Sequence, residues 1–207
     1  MPDVWHLGRP LSYHRGLMTK LPMIDVSADQ HLDGRPIDWH DVAASGVKIV
    51  AINIDSLYLR EDAVGAHAAR ISVLYYWYLT FYDYTGGPQT TAKAVAWIMG
   101  KIEGLPRDLG VAVDLEGDSF TPKGIALAKG VLADLPPKVV HRELYIDLSN
   151  FEALPDGPDG RAWGHHIWLA EYSGQDAPSV PCWAWQYEAD GQVPGIETPV
   201  DRSWWYG

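Results

Sequence analysis

The chain contains one cysteine, Cys182, in 207 residues. That excludes an intramolecular disulfide and a cysteine-based metal site. Pro181 and Trp183-Ala184-Trp185 flank it, a setting that reads as an inert thiol in a buried strand. Positive charge is also scarce: 16 Lys and Arg against 27 Asp and Glu leave a formal net charge of −11. No basic patch or stripe is visible, which argues against a nucleic-acid partner. The same sign is repelled by anionic membranes and by polyanionic cell walls, so charge does not recruit the chain to either. No apolar run approaches the roughly 20 residues of a membrane-spanning helix, so no membrane insertion is expected. The opening Met1-Pro2-Asp3-Val4-Trp5-His6-Leu7 lacks a basic segment followed by an apolar one, and no signal peptide is expected. There is no P-loop, no G-x-G-x-x-G and no G-x-S-x-G. The eight histidines show no H-E-x-x-H or similar spacing. His165 and His166 are adjacent and would face opposite ways in a strand. Neither a metal nor a cofactor is expected.

What the chain does contain is apolar residues and indoles. Hydrophobic residues make up 47% and charged residues 21%, with no low-complexity tract, so one substantial core in one domain is expected. There are 10 Trp and 11 Tyr but only 3 Phe. Trp and Tyr join a flat apolar face to a hydrogen-bonding edge. That suits sugar rings, and it equally suits the packing of a barrel core.

Residues 1–20 are irregular, with Gly8, Pro10 and Gly16, and read as an arm outside the main fold. From Leu21 to Gly207 strand-like and helix-like segments alternate. Strands are expected over 23–26, 48–54, 71–79, 110–115, 142–147, 166–171, 182–187 and 197–201, several as near-continuous apolar runs of the parallel buried kind. Helices are expected over 38–45, 61–69, 88–103 and 121–134, the last with Thr121 as N-cap and Pro122 at the first helical position. Beyond Gly157-Pro158-Asp159-Gly160 the helical signal fades. Eight strands with helices between the first five predict an α/β fold, an irregular (β/α) TIM-like barrel without helices between its last strands.

Four acids fall at the ends of expected strands: Asp25, Asp114, Glu116 and Asp201. Carboxylates are poor strand formers and costly to bury, so their convergence reads as a site. In Val113-Asp114-Leu115-Glu116 the two acids are two residues apart, so they face the same way with Cα atoms about 6.6–7 Å apart. Two carboxylates so placed repel, and the less solvated one keeps its proton. One charged and one protonated carboxyl is the division of labour a glycosidase uses.

Several blocks then resemble the glycoside hydrolase family 25 lysozymes. Met23-Ile24-Asp25-Val26-Ser27, Ile37-Asp38-Trp39 and Ala44-Ser45-Gly46-Val47-Lys48 are similar to the family's opening G-I-D-V-S…I-D-W…A-G-V. Asp114-Leu115-Glu116 matches its D-x-E element. Ile167-Trp168-Leu169-Ala170-Glu171-Tyr172, Trp185-Gln186-Tyr187, Gly191 to Ile196 and Val200-Asp201 follow in the family's order. The resemblance covers roughly residues 21–205. It implies a muramidase of phage-endolysin or bacterial type, cutting the β-1,4 bond between N-acetylmuramic acid and N-acetylglucosamine in the glycan strands of peptidoglycan. It implies Glu116 as general acid, Asp114 as its support, and Asp25 and Asp201 as an acidic floor. Tyr76, Tyr78, Trp168, Tyr172 and Trp185 become candidates for contact with the sugar. Without a signal peptide, release by lysis machinery or carriage on a phage particle would bring the chain to the wall.

Two elements depart from the family. Asn53-Ile54-Asp55-Ser56-Leu57 replaces its K-A-T-E-G segment, and Tyr76-Trp77-Tyr78 replaces its Y-H-F. Two alternatives therefore stay open. One is a non-catalytic structural or glycan-binding component of a phage particle, with residues 1–20 as a protein contact. The other is a glycosidase acting on a different aminosugar polymer.

Overall fold

A computed structural model of the chain describes residues 20–155 and 166–207. All of the expected N-terminal arm but Lys20 lies outside the described residues. Eight apolar segments form strands: Leu21–Val26 (β1), Ile49–Asn53 (β2), Ser72–Tyr78 (β3), Gly110–Asp114 (β4), His141–Asp147 (β5), His166–Ala170 (β6), Ala184–Gly191 (β7) and Val200–Trp205 (β8). They close in sequence order into one barrel. Strands β1 to β7 run parallel to their neighbours, while β8 is antiparallel to both β7 and β1.

Helices Trp39–Ala44 (α1), Leu59–Ala68 (α2), Thr91–Lys101 (α3), Pro122–Asp134 (α4) and Leu148–Glu152 (α5) lie between the first strands. Their starts follow their caps. The Asp38 side chain accepts from the amides of His40 and Asp41, and the Thr90 hydroxyl from Lys93, so α3 begins three residues later than expected. Thr121 caps α4 with Pro122 behind it, as expected. The short α5 was not anticipated; the Asp147 carboxylate caps it by accepting from the amide of Asn150 at 3.0 Å. Among the described residues, no helix joins β6 to β7 or β7 to β8, as expected.

Each strand carries two apolar rows, because successive side chains point to opposite faces. The outward rows, with Ile24, Val26, Val50, Ile52, Val73, Val111, Val113, Leu144 and Ile146, pack against the helices. The inward rows, with Met23, Ile49, Ala51, Leu74, Ala112, Tyr145, Trp168, Ala184 and Trp205, fill the barrel. The interior is thus a packed core, and the charged groups gather at its two ends.

The reading that ended a strand at Asp201 needs correction. β8 starts at Val200, and Asp201 is its second residue. The reversal keeps it at the expected place in space: the start of an antiparallel strand lies at the rim where the parallel strands end. Asp201 stands directly opposite Asp25 in the β1–β8 ladder.

At the other rim Gly110 starts β4 beside His141 of β5. A Cβ on Gly110 would lie 2.0 Å from the His141 carbonyl oxygen, a backbone atom that cannot swing away. Gly110→Ala should therefore force the ladder apart, destabilising by about 1–3 kcal/mol. In a chain of this size that lowers Tm by roughly 2–12 °C. A thermal melt followed by circular dichroism checks this; an unchanged Tm would show that the rim relaxes freely.

Candidate active site

The inward rows change character as they reach the mouth of the barrel. On β1 Met23 gives way to Asp25, on β2 Ala51 to Asn53, and on β3 Leu74 to Tyr76 and then Tyr78. On β4 Ala112 gives way to Asp114, with Glu116 one step above it, and on β5 Tyr145 gives way to Asp147. β8 runs the other way, from Asp201 inward to Ser203 and Trp205. The four expected acids therefore meet at one rim.

Glu116 is held from behind by a local turn. Ser119 Oγ accepts from the Glu116 amide at 3.1 Å and donates to the Glu116 carbonyl at 2.7 Å. Gly117 follows with φ +52°, a left-handed conformation that turns the chain out of the strand at once. The Glu116 side chain is consequently half-buried, while Asp114 is buried one row below.

Gln186 on β7 organises the opposite side. Its Nε2 donates to Asp25 Oδ2 at 3.0 Å and to Asp201 Oδ2 at 3.2 Å. Its Oε1 accepts from the Tyr145 hydroxyl at 2.8 Å and from the Tyr172 hydroxyl. Both amide hydrogens and both oxygen lone pairs are thus used, which fixes which way the amide points. With 1% of its surface exposed, Gln186 has no water to replace any of these partners.

Burial dominates the electrostatics. Desolvation and the facing Asp201 hold the Asp25 carboxyl well above its usual range, against a smaller opposing effect from the Gln186 hydrogen bond. Asp201 is raised to about 6 by desolvation and by Glu116. Desolvation, then Glu116 and Asp25, push Asp114 well up, and its Oδ1 is buried without a hydrogen-bond partner. Glu116 is raised by its own partial burial and by Asp147. No arginine or lysine forms an ion pair with these four acids among the described residues. The cluster lowers its charge by keeping protons.

The aromatic candidates divide. Tyr78 is 39% and Tyr172 55% exposed at the rim, and Tyr76 is half-buried among Asp25, Asp114 and Asp201. Trp168 and Trp185 do not fit the expected role of sugar contacts. Trp168 is 1% exposed inside the barrel, where its Nε1 donates to Ser203 Oγ at 3.1 Å and its ring packs edge-on to Tyr145. Trp185 is 2% exposed on the outward row of β7, with its Nε1 donating to the Glu171 carbonyl at 2.9 Å. Both indoles are walls of the core, with no face left for a ligand.

Three site residues escaped the sequence reading. Asp147 carried the signal of an acid at a strand end, and Gln186 lay in a matched block. Asn53 marked the end of β2, where its side chain hydrogen-bonds Tyr76. The segment in place of K-A-T-E-G turns away from the mouth: Asp55 accepts from Trp97 Nε1 at 3.0 Å and from the Tyr84 hydroxyl, on the α3 side.

A raised carboxyl makes folding depend on pH. Between 3.8 and about 6 the folded Asp201 holds a proton that the unfolded chain releases, so stability falls as pH rises through that window. The shift sets an upper bound of roughly 3 kcal/mol, reduced by the solvent that reaches this carboxyl. Asp201→Asn retains an acceptor for Gln186 and loses the charge. It should be more stable than the wild type at pH 7 and gain less at pH 4, as read by thermal melts at both values. An equal gain at the two pH values would contradict the assignment.

No protein-family model matches the chain, and no curated protein matches it. Solved structures do. A bacterial lysozyme from Streptomyces coelicolor superposes with a TM-score of 0.72 at 19% identity, over 90% of this chain and 92% of that one. The modular autolysin LytC from Streptococcus pneumoniae, solved with a synthetic peptidoglycan ligand, superposes with a TM-score of 0.70 at 18% identity, over 92% of this chain and 48% of that one. A glycosyl hydrolase 25 of Streptococcus pneumoniae gives 0.67 at 13%, over 88% and 86%. The chain has the irregular α/β barrel fold of the family 25 lysozymes and muramidases.

Proposed function

We propose that the protein is a peptidoglycan hydrolase, an N-acetylmuramidase, with Glu116 as its general acid. The observation that carries this reading is the placement of Glu116: half-buried at the mouth of a lysozyme-type barrel, above Asp114, where burial and then the charge of Asp147 raise its carboxyl above the ordinary range. A general acid works best when its pKa approaches the working pH.

In this mechanism a glycan strand lies across the rim and Glu116 protonates the oxygen of the scissile glycosidic bond. The C1–O bond of the N-acetylmuramic acid residue breaks as that proton transfers. Positive charge grows at C1, and those neighbouring carboxyls that are ionised at the working pH stabilise it in a site of low polarity. Asp114, buried one row below, supports Glu116 from beneath. Asp25 and Asp201, locked by Gln186, form the floor. Tyr78 and Tyr172 offer exposed rings to the sugars. Proton donation by Glu116 is common to routes through an enzyme nucleophile, the substrate acetamide or direct water attack.

Glu116→Gln should reduce release of reducing sugar from purified walls by roughly 10²–10⁴-fold, with an unchanged far-ultraviolet spectrum. Undiminished activity would sink the assignment. Borohydride reduction of the products should label muramic acid; labelled glucosamine, or no products, would move the reading to another aminosugar bond or to a binding role.

The pH profile gives an independent check. Activity should fall on the alkaline side as Glu116 loses its proton. Asp147 is the charge that raises Glu116 beyond the effect of burial. Asp147→Asn keeps a residue able to cap α5 and removes the charge. The alkaline limb of kcat/KM should therefore move to lower pH in this variant, and a limb that does not move would show that Asp147 does not tune the acid.

A further inference from the structure

The floor of the barrel, at the end away from the carboxylates, holds a second polar cluster. His141 and Glu143 occupy the inward row of β5 below Tyr145, and His166 occupies that of β6 below Trp168. Glu143 and His166 are direct partners in the β5–β6 ladder. Three donor atoms converge there. His141 Nδ1 and His166 Nδ1 are 3.4 Å apart. Glu143 Oε1 is 3.2 Å from His166 Nδ1 and 3.6 Å from His141 Nδ1.

We infer that His141, Glu143 and His166 form a binding site for a divalent transition-metal ion of the zinc class, structural in role and independent of the acidic mouth. The spacing carries the argument. Zinc binds imidazole nitrogen and carboxylate oxygen at about 2.0–2.2 Å in a tetrahedron, whose edge is then roughly 3.3–3.6 Å. All three measured separations match that edge to within about 0.1 Å. Two nitrogens and one oxygen are a donor set that suits zinc, and a water would complete the fourth position.

Burial gives a second, separate argument. The Glu143 side chain has no exposed surface, and its Oε2 has no hydrogen-bond partner. The described ion-pair partners of Glu143 are the two histidines, while Arg142, on the outward face, donates to the carbonyls of Leu132, Ala133 and Val139. A buried carboxylate with an orphaned oxygen requires a strong positive partner, and a divalent ion supplies one. The imidazoles are already oriented. The His166 ring stacks on Trp183 at 3.7 Å, and His141 meets Trp205 edge-on at 5.5 Å. Their side chains remain 21% and 32% exposed, which leaves a route for the ion from solvent. Bound there, the ion would clip the start of β5 to the start of β6.

The test uses the whole chain, stripped with a chelator and titrated separately with Zn(II) and Co(II). One equivalent should bind, and Tm should rise with added Zn(II). The cobalt form should show the intense visible absorption of a four-coordinate ion without thiolate charge transfer. His166→Ala and His141→Ala should each lower affinity at least tenfold, and Glu116→Gln should leave it unchanged. No stoichiometric binding, unchanged affinity in folded histidine variants, or the weak spectrum of a six-coordinate oxygen site would overturn the proposal. If a histidine variant fails to fold, the wild-type cobalt spectrum still decides between a four-coordinate site and none.

Discussion

Closure of the barrel by a reversed last strand is the constraint on which the site depends. Seven parallel strands deliver their C-terminal ends to one rim, but an eighth parallel strand would deliver its start to the opposite rim. Because β8 is antiparallel to both neighbours, its second residue, Asp201, arrives opposite Asp25. The same closure brings β7 within reach of both, so that one Gln186 amide can bridge two carboxylates from β1 and β8. Without that closure Asp25 would stand at an open sheet edge, hydrated and unremarkable in its acidity.

The gathering of carboxylates opposes folding at neutral pH. Each acid at the mouth is raised by desolvation first and by its neighbours second. The chain tolerates this because the rows beneath are packed hydrocarbon and indole, a core large enough to offset a strained rim. The raised pKa of Glu116 is therefore a property of its surroundings, set first by its partial burial and then by the charge on Asp147. Stability and proton-donating capacity are opposed at this rim, which is the usual relation at a preorganised active site.

Much of this architecture was legible in the residues. Val47 to Ile52 and Val111 to Val113 read as buried strands because both of their faces meet apolar partners, and the four acids stood out against such runs. The direction of β8 was not legible, since a short alternating segment is compatible with either direction and only closure decides. Trp168 and Trp185 misled for a related reason. An indole beside a strand end suits a sugar or a core equally, and the parity that puts Trp185 on the outward row appears only once register is known. Gln186 was overlooked because a neutral amide carries no charge signal; its importance comes from four partners contributed by four other segments.

The two ends of the barrel follow one rule with different outcomes. Along β5 the inward row reads His141, Glu143, Tyr145, Asp147, so polar groups flank an aromatic core. At the mouth, several acids with no ion-paired arginine or lysine among the described residues can reduce their charge by retaining protons, the condition the proposed general acid needs. At the floor, one acid is flanked by two imidazoles, which are ligands as well as bases, so a metal ion can take the place that protons hold above. The deciding variable is the ratio of carboxylates to imidazoles within one inward row. A period of two along a strand is enough to build either arrangement, and strand register then selects which residues share it.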